Sequence, residues 1–349
     1  MQAAAQSLSD GIQERIDRWR DFLNNPNPRR HLYIVGFPGG PERPKLWPQL
    51  RRERIEFALR QYEWHLQRAR WVDDDFVPHL DLFTGTEIFA EAMGCPVHRP
   101  ENDMPFALPL VHSAAEADKI KVPELSRSTL AYLFEMADEV QRRAGKGPLF
   151  RLPDIQSPMD IAALIWDKSD LYIALTETPR AVVELAARVR RLLVAFLDEW
   201  LARYGRQFIA HFPTYYMDRG LTLSEDEVGA VGTEAFEEFF LPELAELSHR
   251  YGGIGVHCCA NARHQWPAFK KIPGLKLLNI VHNAQMCRGA QEFFATHCVQ
   301  MHNWAGDGPP RTWPARFPKG SRIVIELAAE TREQAAELAA TMKEACAGS

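Results

Sequence analysis

Eight short β-branched and apolar runs alternate with helical stretches, and this alternation restricts the fold of the chain more than any other feature. The predicted strands are residues 31–36, 76–83, 149–156, 208–216, 253–259, 275–281, 298–303 and 322–327. Thr178 and Pro179 predict the start of a helix, since Val182, Leu185 and Val189 then recur at helical spacing. Eight strands that alternate with helices favour the α/β class, and within it a closed parallel (β/α)8 TIM barrel over an open sheet.

Length and charge set the wider frame. A chain of 349 residues with 46% hydrophobic content can bury one large core. We therefore expect a single barrel domain over residues 31–349, preceded by an N-terminal helical extension over residues 1–30. The net charge of −5 comes from 41 basic and 46 acidic residues that are interspersed, which argues against a nucleic-acid partner.

The chain shows no signal for a membrane or an oxidising compartment. No apolar run approaches the roughly 20 residues that span a bilayer, and the first residues lack the pattern of a signal peptide. The six cysteines have no regular spacing, so they do not suggest a disulfide framework. We expect a soluble cytoplasmic protein whose reduced thiols are free to bind metal.

A candidate metal site lies at the end of the fifth predicted strand. There His257, Cys258 and Cys259 follow a small, β-rich run. Side chains alternate along a strand, so His257 and Cys259 should share one face while Cys258 packs on the other. One imidazole and one thiol supply half of a zinc site.

Polar residues collect at the predicted carboxyl ends of the strands, where the active sites of barrels lie. The expected catalytic residues are Asp154, Tyr216, His282 and His302. The expected substrate-binding residues are Tyr215, Gln156, Asn279, Asn283 and Asn303.

Two local patterns carry structural expectations. The acidic run Asp73, Asp74 and Asp75 precedes a predicted strand and is expected to form a solvated turn. Residues 224–227 (Ser-Glu-Asp-Glu) and 331–334 (Thr-Arg-Glu-Gln) read as capping boxes at helix starts.

Several segments together resemble the uroporphyrinogen decarboxylase-like superfamily. They are residues 154–162 (Asp-Ile-Gln-Ser-Pro-Met-Asp-Ile-Ala), 223–226 (Leu-Ser-Glu-Asp), 236–242 (Phe-Glu-Glu-Phe-Phe-Leu-Pro) and 257–261 (His-Cys-Cys-Ala-Asn), with Pro78, Gly85 and residues 92–94 (Ala-Met-Gly) before them. The likeness extends over about residues 72–278. It implies a (β/α)8 barrel, in agreement with the strand count.

The resemblance is closer to the cobamide-dependent, zinc-containing methyltransferase branch than to the decarboxylase proper. The arginine-rich loop that grips the carboxylates of a tetrapyrrole in the decarboxylases reads Phe37-Pro38-Gly39-Gly40-Pro41-Glu42-Arg43-Pro44 here. A porphyrinogen with eight carboxylates is therefore a poor substrate candidate.

The methyltransferase likeness implies zinc held by His257, Cys259 and a cysteine on the last strand. That strand has no cysteine, so Glu326 is expected to replace it, with His302 and Cys287 as alternatives. Cys298 should lie too deep. Methyl transfer in this branch also implies a corrinoid, and the chain has no Asp-x-His-x-x-Gly signature for binding one. A separate corrinoid protein is therefore the expected partner, and relatives suggest a possible homodimer.

Three functions follow from these observations. The first is a zinc-dependent methyltransferase-like enzyme that moves a methyl group between a small substrate or thiol and a corrinoid protein. The second is a metal-free decarboxylase or other lyase that acts on a small aromatic or heterocyclic acid. The third is a non-catalytic carrier of a corrinoid or tetrapyrrole.

Overall fold

Short parallel strands flanked by helices build this fold. The computed structural model describes residues 2–347, with side chains from Ser9 onward. The strands are β1 Leu32–Gly36, β2 His79–Leu80, β3 Val97–His98, β4 Phe106–Ala107, β5 Leu149–Phe150, β6 Phe208–Ile209, β7 Tyr216–Met217, β8 Leu221–Ser224, β9 Ile254–Cys258, β10 Leu275–Ile280, β11 Val299–Gln300 and β12 Arg322–Ala328. The α-helices are α1 Gln2–Asn24, α2 Arg51–Arg68, α3 Ile88–Ala92, α4 Ala114–Ala117, α5 Ala131–Ala144, α6 Pro158–Ile165, α7 Lys168–Glu177, α8 Pro179–Tyr204, α9 Thr233–Ala235, α10 Leu241–Tyr251, α11 Trp266–Phe269, α12 Ala284–Phe293 and α13 Arg332–Cys346. A π-helical turn, Phe236–Phe240, leads into α10.

The main sheet has six parallel strands in the order β1-β12-β11-β10-β9-β8. A second parallel pair joins β2 to β5. An isolated parallel bridge from Gln156 to Ser224 brings the chain after β5 alongside β8. The predicted α/β class with a parallel sheet is confirmed, and the order in which the strands pair is similar to that of a TIM barrel.

The gap between β1 and β2 is spanned by side chains. Within residues 2–347 no ladder joins these two strands, but the Asp74 carboxylate accepts from Val35 N (2.9 Å) and the Asp75 carboxylate accepts from Tyr33 N (3.0 Å). Arg68 pairs with Asp74 at 2.5 Å, and both side chains are almost fully buried. The prediction of a solvated turn is therefore wrong for Asp74 and Asp75, because their carboxylates take the hydrogen bonds that a neighbouring strand would take.

The fourth parallel strand lies later in the chain than predicted. Residues 208–216 form no continuous strand. β6 makes one parallel bridge, from Ile209 to Arg151, and pairs antiparallel with β7, while β8 is the strand that joins the main sheet beside β9. Pro213 has no amide hydrogen to offer to a ladder, so it interrupts the predicted run. Ser224 ends β8 and its carbonyl accepts from Ser157 N, so the predicted capping box at 224–227 is wrong. The box at Thr331 is confirmed, since its hydroxyl accepts from Gln334 N (3.1 Å).

Helix α1 lies across the amino ends of the strands. The Trp19 indole donates to Asp75 O (2.7 Å) just before β2, and Arg322 at the start of β12 donates to Phe22 O (3.1 Å). These contacts cover one end of the sheet, so the carboxyl ends are left for a site. The domain boundary at residue 30 stays a prediction.

Helix α8 provides much of the outer core, as predicted. Its apolar positions at three- and four-residue spacing are all buried: Val182, Leu185, Val189, Leu192, Phe196 and Trp200. Each such side chain stabilises the fold by roughly 1.5–3 kcal/mol relative to an exposed one. In the part of the chain that the structure describes, every helix is too short or too polar to cross a bilayer.

Candidate metal and substrate site

A cavity of about 260 Å³ opens at the carboxyl ends of β2, β8 and β9. Most of its lining is polar and includes three aspartates, two histidines and one arginine. The lining residues are Asp81, Phe83, Thr84, Thr86, Arg151, Leu152, Asp154, Gln156, His211, Phe212, Ser224, Asp226 and His257. This is the position where the loops of barrel enzymes form active sites.

Three side chains at one wall of this cavity form a candidate metal centre. One ligand atom each of Asp226, His257 and Cys259 lies within 4.8 Å of the others. His257 is in β9, Cys259 directly follows β9, and Asp226 follows the neighbouring strand β8. His257 and Cys259 project to the same side, as the alternation along the strand predicts.

The His257 ring is held in one orientation by β10. Its Nδ1 lies 2.5 Å from Asn279 Oδ1, and the Asn279 amide nitrogen donates to Met301 O. The amide oxygen therefore faces the ring, so Nδ1 carries the hydrogen and Nε2 is left to act as a ligand. The Phe212 ring stands edge-on to the His257 ring at 4.8 Å.

The Asp226 carboxylate is fixed by backbone hydrogen bonds around it. Asp160, which is buried in α6, accepts from Asp226 N (2.7 Å) and Glu227 N (3.0 Å). Asp226 Oδ1 in turn accepts from Cys259 N at 2.6 Å. Burial, together with the Asp226 charge, raises the pKa of the Cys259 thiol to about 11. A bound cation would oppose that effect, since metal coordination favours the thiolate.

The opposite wall combines a buried ion pair with a protonatable carboxyl. Arg151 pairs with Asp81 at 2.8 Å and also donates to His211 O. Burial raises the pKa of Asp154 to about 6, and its Oδ1 lies 3.7 Å from His211 Nε2. Burial lowers the pKa of His211 well below its usual value, so this imidazole is neutral. The Arg43 guanidinium lies 3.5 Å above the ring of Phe83, which lines the cavity.

The structure brings some of the predicted site residues together. Asp154, Gln156 and His257 line the cavity. Cys259 is the third member of the candidate metal centre with Asp226 and His257, and Asn279 contacts the His257 ring through its side-chain oxygen. The buried Gln156 Oε1 has no hydrogen-bond partner among the described residues.

Tyr215 and Tyr216 lie at the opposite end of the sheet from the cavity. The Tyr215 ring lies 6.2 Å from the Trp19 ring, and the Tyr216 hydroxyl donates to Gln207 and accepts from Arg20 of α1. The structure therefore does not bring Tyr215, predicted to bind substrate, or Tyr216, predicted to be catalytic, to the cavity. The reason is the β6–β7 hairpin, which interrupts the predicted fourth strand.

His302 is turned into the interior of the sheet. Its Nδ1 accepts from Ile280 N (3.0 Å) and its Nε2 lies 3.0 Å from Gln300 Oε1, so both ring nitrogens are occupied. Burial lowers its pKa to about 3. These contacts leave His302 without a free atom for the catalytic or ligand role expected of it.

A separate group of predicted residues stabilises the loop after β10. Asn283 caps α12 by accepting from Met286 N (3.0 Å). Asn303 Oδ1 accepts from His282 N (3.1 Å) and from the Cys287 thiol (3.2 Å). These four side chains are absent from the cavity lining within residues 2–347.

Glu326 on β12, the expected third ligand, is not grouped with His257 and Cys259; Asp226 is the third member of the candidate metal centre. Sequence reasoning missed Asp226, Arg151 and His211. Asp226 had a usable signal, because it follows a Leu-Thr-Leu-Ser run whose alternation fits a strand, which would place it at a strand end beside His257.

Comparison with known proteins supports the architecture. The model of the family described as Uroporphyrinogen decarboxylase (URO-D) matches residues 79–300, which is more than half of the chain. A methyltransferase structure from Methanosarcina mazei matches with a TM-score of 0.65 at 11% sequence identity, over 95% of this chain and 98% of that one. At this identity the likeness shows the fold.

Two further comparisons add little. The apo structure of the homocysteine methyltransferase MmuM from Escherichia coli gives a TM-score of 0.23 at 16% identity, over 65% of this chain and 92% of that one. No curated protein matches the sequence.

Proposed function

Because the chain belongs to the uroporphyrinogen decarboxylase family, we propose that it is a zinc-dependent methyltransferase-like enzyme of the methyltransferase branch. In the proposed reaction a methyl group moves between a small substrate or thiol and a corrinoid carried by a separate protein. The observation that carries this proposal is the convergence of Asp226, His257 and Cys259 at the cavity wall.

The three side chains fit zinc by chemistry and by position. Nitrogen, sulfur and carboxylate oxygen are its usual ligands, at bond lengths of about 2.0–2.3 Å. The ligand atoms lie within 4.8 Å of one another, so small side-chain rotations would bring them onto one ion. Three protein ligands leave a fourth position open, which is typical of catalytic zinc.

The surrounding residues have separate proposed roles. Bound here, zinc would lower the pKa of a thiol or water in its open position. Asn279 orients the His257 ring, and Phe212 shields it from water. Asp154, with a pKa of about 6, gives or accepts a proton on the substrate near neutral pH. The Gln156 amide is available to orient a polar substrate group.

Two measurements test this proposal together: the metal content of the protein, and methyl transfer from free methylcobalamin to a small thiol. We expect about one zinc per chain in the purified protein. The Cys259→Ser and Asp226→Asn proteins should lose most of the metal. They should also no longer catalyse transfer of the methyl group to a small thiol, which is followed by the fall in the cobalt–methyl absorbance. Cys287→Ser is the matched control, since it removes a cysteine outside the cavity. Full metal and activity in the Cys259→Ser protein would contradict the proposal.

The second candidate, a metal-free decarboxylase or lyase, is favoured by the acid and cation at the same cavity. Arg43, beside the cavity on the Phe83 ring, would attract a carboxylate of the substrate, and the Asp154 carboxyl would protonate the carbon from which carbon dioxide leaves. This function predicts that Cys259→Ser is silent while Asp154→Asn abolishes turnover. If the wild type and all variants bind a corrinoid and none shows turnover, the result would instead support the carrier function.

A further inference from the structure

A second cavity, of about 170 Å³, lies beside the first and outside the site described above. It is formed between the loop after β1, helices α2 and α3, and the start of α5. Thr84 lines both cavities, but no other residue does. The second cavity is lined by Leu46, Pro48, Arg54, Thr84, Glu87, Ile88, Glu91, Arg99, Thr129, Leu130, Tyr132 and Leu133. Its volume is several times the roughly 30 Å³ that one water occupies.

Three charged side chains of this lining carry buried atoms that have no hydrogen-bond partner among the described residues. They are Arg54 Nε, Arg99 Nε and Glu87 Oε2. Arg54 is only 6% exposed and Glu87 only 4%. Buried polar groups in folded proteins are nearly always paired, so three orphans around one cavity point to a ligand that pairs them.

The charged side chains are held in place by their other atoms. Arg54 Nη2 donates to Leu82 O (3.2 Å) and Phe83 O (2.9 Å). Arg99 pairs with Glu91 at 2.5 Å. A Cβ on Gly85 would lie 2.2 Å from Glu87 Oε2, so this carboxylate occupies space that only a glycine leaves open.

Apart from Thr84 and Thr129, the rest of the lining is mainly apolar. Leu46, Ile88, Leu130 and Leu133 are buried, and the Tyr132 ring adds an aromatic wall. Two arginines and two glutamates place donors and acceptors for ligand groups of both signs around the cavity. A ligand that carries both signs could pair the arginine nitrogens and the glutamate oxygen that lack a partner, whereas a simple anion would pair only the arginine nitrogens and a simple cation only Glu87 Oε2.

We infer that this cavity binds a free α-amino acid with an apolar side chain. Its carboxylate would accept from Arg54 and Arg99, its ammonium would donate to Glu87, and its side chain would lie against the leucines. The inference does not depend on the function proposed for the first cavity.

Calorimetric titration of the full chain with L-leucine, and with two analogues that each lack one of its charged groups, tests this inference without any variant. L-leucine should bind, and 4-methylpentanoate, which lacks the ammonium, and 3-methylbutylamine, which lacks the carboxylate, should each bind about tenfold or more weakly. Absence of L-leucine binding, or equal binding of either half-molecule, would overturn the inference.

Variants then locate the binding. Glu87→Gln should weaken L-leucine by about tenfold and change 4-methylpentanoate little, because only the ammonium contact is altered. Leu133→Trp should abolish both by filling the cavity. Glu53→Gln, an exposed change on α2, is the matched control and should bind as the wild type does. L-leucine affinity that stays unchanged in folded Glu87→Gln and Leu133→Trp proteins would place the binding elsewhere and sink the assignment.

Discussion

The aspartates between α2 and β2 give a graded test of how the first strand is held. Asp74 is fully buried and its carboxylate accepts from four nitrogens: two of Arg68, Val35 N and Phe76 N. Asp74→Asn removes the charge and turns an amide NH₂ toward these donors. Arg68 would then stay buried with an unpaired charge, which costs about 3–5 kcal/mol of unfolding free energy.

The two neighbours of Asp74 provide internal comparisons with the same change. Asp75 is also buried, but its partners Arg18 and Arg30 are 29% and 22% exposed, so water can replace part of the interaction. We expect Asp75→Asn to cost about 1–3 kcal/mol. Asp73 and its partner Lys343 are both mainly exposed, so Asp73→Asn should cost about 0–1 kcal/mol.

Urea unfolding followed by tryptophan fluorescence measures the three changes. Free-energy differences come from the shifts in midpoint with a shared denaturant slope. The expected order of loss is Asp74, then Asp75, then Asp73. An Asp74→Asn protein no less stable than the Asp73→Asn protein would refute the view that buried carboxylates take the place of a ladder between β1 and β2.

Three further predictions concern single groups. Asn279→Leu should weaken zinc binding by about 10–100-fold in a chelator competition, because the His257 ring loses its orienting acceptor; unchanged affinity would argue against that role. A thiol reagent should label native metal-free protein at Cys259, the exposed cysteine, with a rate that rises from pH 7 to 10 because its pKa is about 11; equal labelling of buried Cys298 would contradict this. Burial raises the pKa of Glu87 to about 7, so its contribution to stability is present below pH 4.5 and lost as pH rises through 7. As the pH rises from 5 to 8.5, the unfolding free energy of Glu87→Gln, measured by urea unfolding, should therefore increase by about 1–3 kcal/mol relative to that of the wild type. A relative decrease over this pH range would contradict the reasoning.

Much of the fold and two of the three candidate metal ligands followed from local sequence periodicity. The spacing of Val182, Leu185 and Val189 predicted α8, and the two-residue alternation of β9 placed His257 and Cys259 together. Both signals lie within one element, so they do not depend on how distant segments meet.

The parts that sequence could not supply depend on contacts between distant segments. Asp226 becomes a candidate ligand because β8 pairs with β9, and a four-residue strand is easily read as a helix cap. Asp74 and Asp75 look like a solvated charge run until arginines from two helices surround them. The hairpin that precedes β8 carries Tyr216 to the amino ends of the strands, and no periodicity in the run itself indicates that reversal.

X-ray absorption at the zinc edge of the loaded protein tests the central claim most directly. The account predicts one sulfur near 2.3 Å and nitrogen or oxygen ligands near 2.0–2.1 Å. The sulfur shell should vanish in Cys259→Ser protein loaded with excess zinc, and it should persist in Cys287→Ser. A zinc shell with two or more sulfurs, or one unchanged in the Cys259→Ser protein, would contradict the assignment of Asp226, His257 and Cys259 as the metal ligands.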